Sequence, residues 1–219
     1  MTEQDLQPVE GVSVLASAER IKAFTDAVVA IAMTLLILPL MESVGELARE
    51  GGTAGEWVAA NRGELLIFVL SFVLIAAFWM SHHRLFERIH RVSGPLLILN
   101  IAWMFTIVWL PVATATFGLI PNDIVQKALY IGALFTTSVI MAVLGVYTLR
   151  HPELHSIPDH RLRSGILAEA IASVMFAAVF LVAVIFPGIG YWSMVLLVLI
   201  GPLHALLQRF VPRERDAAH

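Results

Sequence analysis

Five polar side chains lie within, or at the ends of, segments that are otherwise apolar: Asp26, His82, His83, Asn100 and Glu169. The carboxylates and imidazoles can exchange protons, and the asparagine amide can both donate and accept hydrogen bonds. A carboxylate in hydrocarbon costs several kcal/mol unless it is paired. Asp26 therefore needs a partner. The candidates are Lys22, four residues earlier on the same helix face, and His83 and Arg84 from another segment.

Two interpretations of these residues remain open. They form a purely structural polar layer between helices, or protonation of His82 or His83 gives the layer a direct functional role. A metal site is a less favoured alternative. His83 and Glu87 are four residues apart, with His82 or His90 nearby, but no third ligand follows at helical spacing. The sequence has no cysteine, no nucleophile elbow, no His-Glu-x-x-His motif and no glycine-rich phosphate loop. We therefore expect no resident metal, no catalytic residue and no enzyme activity.

The composition indicates an integral membrane protein. Of the 219 residues, 58% are hydrophobic and only 14% are charged, with a mean hydropathy of +0.82, whereas a soluble domain has about 25% charged residues. Six apolar segments reach or approach the length of a bilayer-spanning helix: Ile21–Met41, Gly63–Ser81, Pro95–Gly118, Ile124–Leu149, Gly165–Phe186 and Gly190–Phe210. None alternates with a period of two, so we predict an all-α integral membrane protein with six transmembrane helices.

Basic residues are concentrated at one end of these segments. The N-terminal flank, the second-to-third and fourth-to-fifth connections and the C-terminal flank carry most of the arginines and lysines, whereas the opposite connections have Arg49, Arg62 and Lys127. This bias predicts a multi-pass protein of the inner (plasma) membrane with both termini in the cytoplasm. The acidic N-terminus lacks a signal-peptide cleavage site. We expect cytoplasmic tails at residues 1–16 and 212–219 around a single domain, 17–211.

The first segment carries a stripe of four residues at spacings i, i+3, i+4 and i+7, which places them on one helix face: Ile31, Thr34, Leu35 and Leu38. Such a face could line an ion pathway. Periodicity alone does not distinguish this from core packing, because the segment is apolar nearly all round.

Two motifs carry a resemblance. Arg20-x-x-x-Phe24-Thr25-Asp26 opens the first segment, and Phe78-Trp79-Met80-Ser81-His82-His83-Arg84-Leu85-Phe86 closes the second. Both resemble signatures of the lysosomal potassium channel family (transmembrane protein 175), and Asn100 and Leu110-Pro111 of the third segment are also similar. Thr25 stands where the family usually has serine, and it keeps the hydroxyl group.

The resemblance implies a potassium-preferring cation channel whose pore is lined by helix 1 of each subunit. Eukaryotic members have two six-helix repeats and dimerise, so this chain, with one repeat, is implied to form a homotetramer in the lipid bilayer. Ile31, Leu35 and Leu38 would form a hydrophobic constriction, with Thr34 adjacent. The filter sequence Thr-Val-Gly-Tyr-Gly is absent, consistent with a different kind of filter. Potassium is the expected permeant ion, with no cofactor and no nucleic-acid partner.

The resemblance also implies a structural or gating network between helices. Its members would be Arg20, Phe24, Thr25 and Asp26 of helix 1, His82, His83 and Arg84 of helix 2, and Asn100 of helix 3.

Two other classes of function remain open. A secondary transporter could couple to protons through Asp26, His83 and Glu169, although the sequence has no repeated halves and no matching pair of broken helices. An intramembrane enzyme or assembly factor would need only the polar layer and would tolerate a polar change at Ile31.

Overall fold

The computed structural model describes residues 10–119 and 124–185, with side chains for residues 18–117 and 124–185. These residues are helical apart from short connections. The helices are α1 (Glu10–Leu35), α2 (Leu38–Arg49), α3 (Ala54–Ala60), α4 (Arg62–Phe86), α5 (Gly94–Leu119), α6 (Ile124–Leu149) and α7 (Asp159–Ile185), with a single 3₁₀ turn at Pro152–Leu154.

Five stretches are long and apolar enough to cross a bilayer: Ala18–Arg49, Arg62–Phe86, Gly94–Phe117, Ile124–Leu149 and Asp159–Ile185. The all-α class and five of the six predicted segments are therefore confirmed. The sixth, Gly190–Phe210, and the tail 212–219 lie outside the described residues. At the other end of the chain, α1 begins at Glu10, inside the stretch predicted as the N-terminal tail.

The first apolar segment is two helices rather than one, which corrects the prediction of a continuous helix over Ile21–Met41. α1 ends at Leu35 and α2 begins at Leu38, with Pro39 in its first turn. Proline has no backbone N–H to bond to the carbonyl of Leu35, and its ring would collide with that carbonyl in a continuous helix. The chain turns instead, and Ile37 N donates to Thr34 O at 3.3 Å.

A helical hairpin connects the first two spans. α3 begins with a capping box in which the Thr53 side chain accepts from Glu56 N while the Glu56 side chain accepts from Thr53 N. The Thr53 backbone N–H and the Thr53 hydroxyl both donate to the Glu56 carboxylate, and these two bonds lower the pKa of this exposed carboxyl. The Trp57 indole N–H donates to Ser43 Oγ at 2.9 Å. α3 is thereby held against α2.

The core is formed where α5 packs between α1, α4 and α6, and α6 packs against α7. Large side chains from several helices are fully buried there: Ile75, Trp103, Tyr130, Leu144 and Phe176. From α4 to α7 the connections are short, so these consecutive helices run antiparallel.

Two arginine-rich connections meet at one end of the bundle. Ile89 and His155 form an isolated antiparallel bridge, and His90 Nε2 lies 2.9 Å from Ser156 Oγ. Ser156 N also donates to Arg88 O. The loops after α4 and after α6 therefore lie on the same side, as the distribution of basic residues predicts. We call this end the basic end of the bundle.

Candidate functional site

α1 has two contrasting faces over its membrane-spanning part. One face is buried against α4 and α5 and contains Thr25, Val29 and Ala32, and Leu36, just after the helix, is buried as well. The other is exposed in the single chain, with exposed fractions of 61% for Phe24, 59% for Ile31, 39% for Leu35 and 51% for Leu38. Thr34 is exposed on the same side. We call Ile31, Thr34, Leu35 and Leu38 the apolar face.

The helix break divides the apolar face. Ile31, Thr34 and Leu35 belong to α1, whereas Leu38 is the first residue of α2. The prediction of a single helix face is therefore wrong for Leu38, because Pro39 interrupts the helix before it. Leu38 is nevertheless exposed, as the three α1 residues are.

The hydroxyl of Thr34 is the oxygen-bearing group on the apolar face. It donates to the carbonyl of Ile31 at 2.7 Å. A hydroxyl that donates its proton to the backbone still has lone pairs on its oxygen. Thr34 therefore keeps an oxygen lone pair available on the exposed side without breaking this bond.

Asp26 is held by an aromatic donor from α4. The Trp79 indole N–H donates to Asp26 Oδ1 at 2.8 Å, and His83 Nδ1 is 4.0 Å from Asp26 Oδ2. The rings of Trp79 and His83 lie 5.3 Å apart between centroids. His83 is thus close enough for an ion pair when its imidazole is protonated, while the indole supplies the direct hydrogen bond.

Lys22, the same-face candidate partner of Asp26, turns elsewhere: its ammonium donates to the backbone carbonyl of Glu87 at 3.2 Å. Sequence reasoning missed Trp79 as the donor. An indole N–H is an obligate donor, but the sequence does not show which way the ring points.

A buried hydrogen-bond chain joins α4, α5 and α1 beside Asp26. His82 Nε2 is 2.7 Å from Asn100 Oδ1, and Asn100 Nδ2 donates to Thr25 Oγ1 at 3.0 Å. Thr25 in turn donates to the carbonyl of Ile21 at 2.9 Å. Because the amide oxygen only accepts, the first bond requires the His82 tautomer that carries its proton on Nε2. We call His82, Asn100 and Thr25 the buried relay.

Aromatic rings enclose the imidazole of the buried relay. His82 stacks between Phe86 and Trp103, with centroid distances of 4.1 and 4.2 Å. All three members of the relay are almost completely buried. The relay therefore holds α1 at a defined rotation and depth against α4 and α5.

Glu169 belongs to a different group. Ser81 Oγ donates to Glu169 Oε1 at 2.6 Å, and Ser138 Oγ lies 3.2 Å from Glu169 Oε2. Residues two apart on a helix point to nearly opposite sides, so Ser81 faces away from the side on which Trp79 meets Asp26. The predicted single layer is therefore split by α4.

The predicted network is thus brought together only in part. Thr25, Asp26, His82, His83 and Asn100 form one continuous group. Arg84 instead lines a pocket with Glu169, on the other side of α4. Arg20 and Phe24 are exposed. Among the described residues, no three His, Asp or Glu side chains are grouped to hold a metal ion.

A second buried polar cluster was not predicted. Thr114 donates to Ser71 Oγ at 3.0 Å, and Ser71 Oγ is 2.9 Å from the Tyr130 hydroxyl. The three residues link α5, α4 and α6 at the opposite half of the bundle. Isolated hydroxyl residues are common in transmembrane helices, so the sequence gives no signal that these three meet.

We expect Trp79→Phe to lower the stability of the folded protein by about 1–2 kcal/mol, because it removes a hydrogen bond to a carboxylate while keeping an aromatic ring. The measurement is thermal unfolding in detergent. Trp109→Phe, the same change at a half-exposed tryptophan of α5, is the matched control. Equal losses in the two variants would contradict the role given to the indole N–H.

Comparison with known proteins places these residues in a family. The sequence model of the family described as "Endosomal/lysosomal potassium channel TMEM175" matches residues 20–111, which contain the apolar face and the whole buried relay. The chain is similar to the TMEM175 family over these residues. The family is one of ion channels rather than enzymes, and the chain is a membrane protein.

The curated TMEM175 relatives carry two kinds of name. "Endosomal/lysosomal proton channel TMEM175" of Danio rerio is 28% identical over 66% of this chain, and the human protein of the same name is 24% identical over 84%. A potassium channel of Streptomyces collinus is 35% identical over 44% of this chain and 45% of its own length. The chain spans 28% of the length of the Danio rerio protein and 37% of that of the human protein.

Solved structures of TMEM175 relatives share the fold. The crystal structure of a TMEM175 homologue from Chamaesiphon minutus, described as a lysosomal potassium-selective channel homologue, matches with a TM-score of 0.68 and 21% identity, over 88% of this chain and 98% of that one. The potassium channel MtTMEM175 matches with a TM-score of 0.59 and 17% identity, over 96% and 95% of the two chains.

Proposed function

We propose that this chain is a potassium-permeable cation channel that conducts passively through a pore lined by α1. The single observation that carries the proposal is the apolar face of α1. Ile31 and Leu35 are exposed in the single chain, although the opposite face of α1 is tightly buried, and Leu38 at the start of α2 is exposed too. The name of the Streptomyces collinus relative, a potassium channel, supports the same function.

The proposed assembly is a homotetramer with four copies of α1 around one axis. Small residues accompany the apolar face on the exposed side of α1: Ala23, Ala27 and Ala30. Small side chains let helix backbones approach closely in lipid, where no hydrophobic force drives helices together. They would allow α1 helices from different copies to converge, with the larger Ile31 and Leu35 side chains pointing toward the axis.

The proposed constriction is formed by Ile31, Leu35 and Leu38. A ring of aliphatic side chains offers no oxygen to replace the hydration shell of an ion, so it admits a partly hydrated ion and closes by dewetting. Potassium holds its water less tightly than sodium, which favours potassium modestly at such a ring. The Thr34 hydroxyls, between these rings, would supply replacement oxygens.

The buried relay and Asp26 are proposed to set the position of the pore-lining helix. Thr25 and Asp26 are anchored to α5 and α4 respectively, less than two turns before Ile31. A rotation of α1 that breaks these bonds would also turn the apolar face. The network therefore couples the packing of α4 and α5 to the width of the proposed constriction.

A proton-coupled transporter is the second candidate. The vertebrate relatives are named proton channels, which supports a role for protons. His83 and Asp26 are close enough to share a proton through a small movement. Glu169, the third residue of that hypothesis, is bonded to Ser81 and Ser138 on the other side of α4. This separation favours the channel.

We expect the purified protein in proteoliposomes to pass potassium down its gradient when no proton gradient is present. The measurement is potassium flux against sodium flux under matched gradients, with protein-free liposomes as the control. A passive pore needs no coupling ion, so potassium flux should appear with or without a proton gradient. In both cases it should exceed sodium flux. Uptake that appears only with a proton gradient would overturn the channel and support the transporter.

A further inference from the structure

A pocket of about 530 Å³ opens at the basic end of the bundle, between α4, α6 and the start of α7. Three arginines line it: Arg84 and Arg88, at and just after the end of α4, and Arg161, in the first turn of α7. The bridge between the loops that follow α4 and α6 lies beside them. This pocket is on the opposite side of α4 from Asp26 and takes no part in the proposed pore.

Within the described part of the chain, the three guanidinium groups have no ion-pair partner. In the parts of the chain whose side chains are described, the ion pair with a nitrogen–oxygen distance of 4.0 Å joins His83 and Asp26. None of the three arginines takes part in it. Two carboxylates also line the pocket, Glu87 and Glu169. The oxygens of Glu169 are already bonded to serine hydroxyls, although Arg84 lies near enough to act on this carboxylate electrostatically.

Apart from Ser81, Ser164 and two glycines, the rest of the pocket wall is apolar. Its members come from α4, α6 and α7 and from the loop before α7: Leu85, Met141, Ile157, Leu162, Ile166 and Ala168. A group of unpaired guanidiniums beside an apolar wall suits a molecule with one anionic end and one hydrocarbon end. The volume is in the range of pockets that bind small molecules.

We propose that this pocket binds a phosphate group, and that an anionic phospholipid of the adjoining leaflet supplies it. Guanidinium forms paired, charge-assisted hydrogen bonds to phosphate oxygens. Arginines at the ends of transmembrane helices lie at the depth of lipid headgroups. The phosphate would sit among Arg84, Arg88 and Arg161, with an acyl chain along the apolar wall. This site is independent of the proposed conduction pathway.

The test measures thermal stability of the purified full-length protein in detergent as lipid is added. A ligand that binds the folded state raises the unfolding temperature in a concentration-dependent way. We expect phosphatidylglycerol to raise it and zwitterionic phosphatidylcholine to leave it unchanged. The triple variant Arg84→Gln/Arg88→Gln/Arg161→Gln should bind phosphatidylglycerol about tenfold more weakly or worse, because each charged hydrogen bond contributes about tenfold.

The matched control removes three exposed arginines on the loops and helix end beside the pocket but outside its lining: Arg91→Gln/Arg150→Gln/Arg163→Gln. This control should keep the wild-type response. Equal weakening in both triple variants would show that phosphatidylglycerol binds to general surface charge, which would overturn the pocket. No stabilisation of the wild type by phosphatidylglycerol would overturn it as well.

A variant that fills the pocket distinguishes the two sources of the phosphate group, an anionic phospholipid and free inorganic phosphate. Ala168→Phe places a ring against the apolar wall and leaves all three arginines in place. We expect this variant to lose the response to phosphatidylglycerol and to retain any response to inorganic phosphate. A lipid site would be refuted if Ala168→Phe bound phosphatidylglycerol as well as the wild type does. It would also be refuted if inorganic phosphate stabilised the wild type and the lipid did not. Because the readout is unfolding temperature, failure of the channel proposal would leave this test intact.

Discussion

Ile31→Asn is expected to raise cation flux through the reconstituted protein by about tenfold or more and to reduce its preference for potassium over sodium. Ile31 is the first residue of the apolar face, and its side chain is 59% exposed in the single chain. A ring of amides would hydrate the constriction and offer oxygens to any cation, so the barrier from dewetting would fall. A barrier lowered by only about 1.4 kcal/mol corresponds to tenfold in rate.

The matched control for this experiment is Ile101→Asn. Ile101 of α5 is 52% exposed in the single chain and undergoes the same chemical change away from the proposed pore. Flux from proteoliposomes under matched potassium and sodium gradients is the measurement, with oligomeric state checked for each variant. If Ile31→Asn forms intact assemblies with wild-type flux and selectivity, the constriction is not at this residue. The same would follow if both variants raised flux equally.

Asn100→Leu is expected to lower stability by about 2–4 kcal/mol, since it breaks the buried relay at its centre. The change removes two hydrogen bonds and leaves the His82 N–H without a partner between two aromatic rings. An unsatisfied buried donor costs about 1–3 kcal/mol in addition to the lost bonds. For a chain of this size the unfolding temperature should fall by roughly 5–15 °C.

Thr25 allows a finer test of the same relay. Thr25→Ser keeps the hydroxyl and should stay close to the wild type, whereas Thr25→Val removes it and should lose about 1 kcal/mol. Thr136→Val is the control, because the exposed Thr136 hydroxyl bonds only to the carbonyl of Gly132 on its own helix. The measurement is thermal unfolding, monitored by tryptophan fluorescence. An Asn100→Leu protein as stable as the wild type would show that the relay is not needed for packing of α1.

Substitution of Asp26 distinguishes a structural role of the surrounding network from a role in gating. If the group around Asp26 is structural, Asp26→Asn should mainly impair assembly, because the bond from the Trp79 indole loses the charge of its acceptor. Normal assemblies with altered flux would instead assign Asp26 a direct part in gating.

Much of the local structure could be predicted from the sequence. Hydropathy is summed along the chain, so the length and apolar character of each segment locate the spans without knowledge of the neighbouring helices. The two motifs around Asp26 and His82 likewise indicated the family and the residues that meet near one end of the bundle. The break before Leu38 also had a local signal in Pro39, although the first segment was predicted as one helix.

The choice of partners depended on the tertiary structure. Lys22 has the right spacing to pair with Asp26, yet Trp79 donates to Asp26 and Lys22 bonds to the carbonyl of Glu87. Glu169 lies within an apolar segment as Asp26 does, but α4 stands between them. The pocket beside Arg84, Arg88 and Arg161 joins two connections that are far apart in the chain. These features depend on the rotation and depth of each helix against the others, which are determined by packing and not by any one segment.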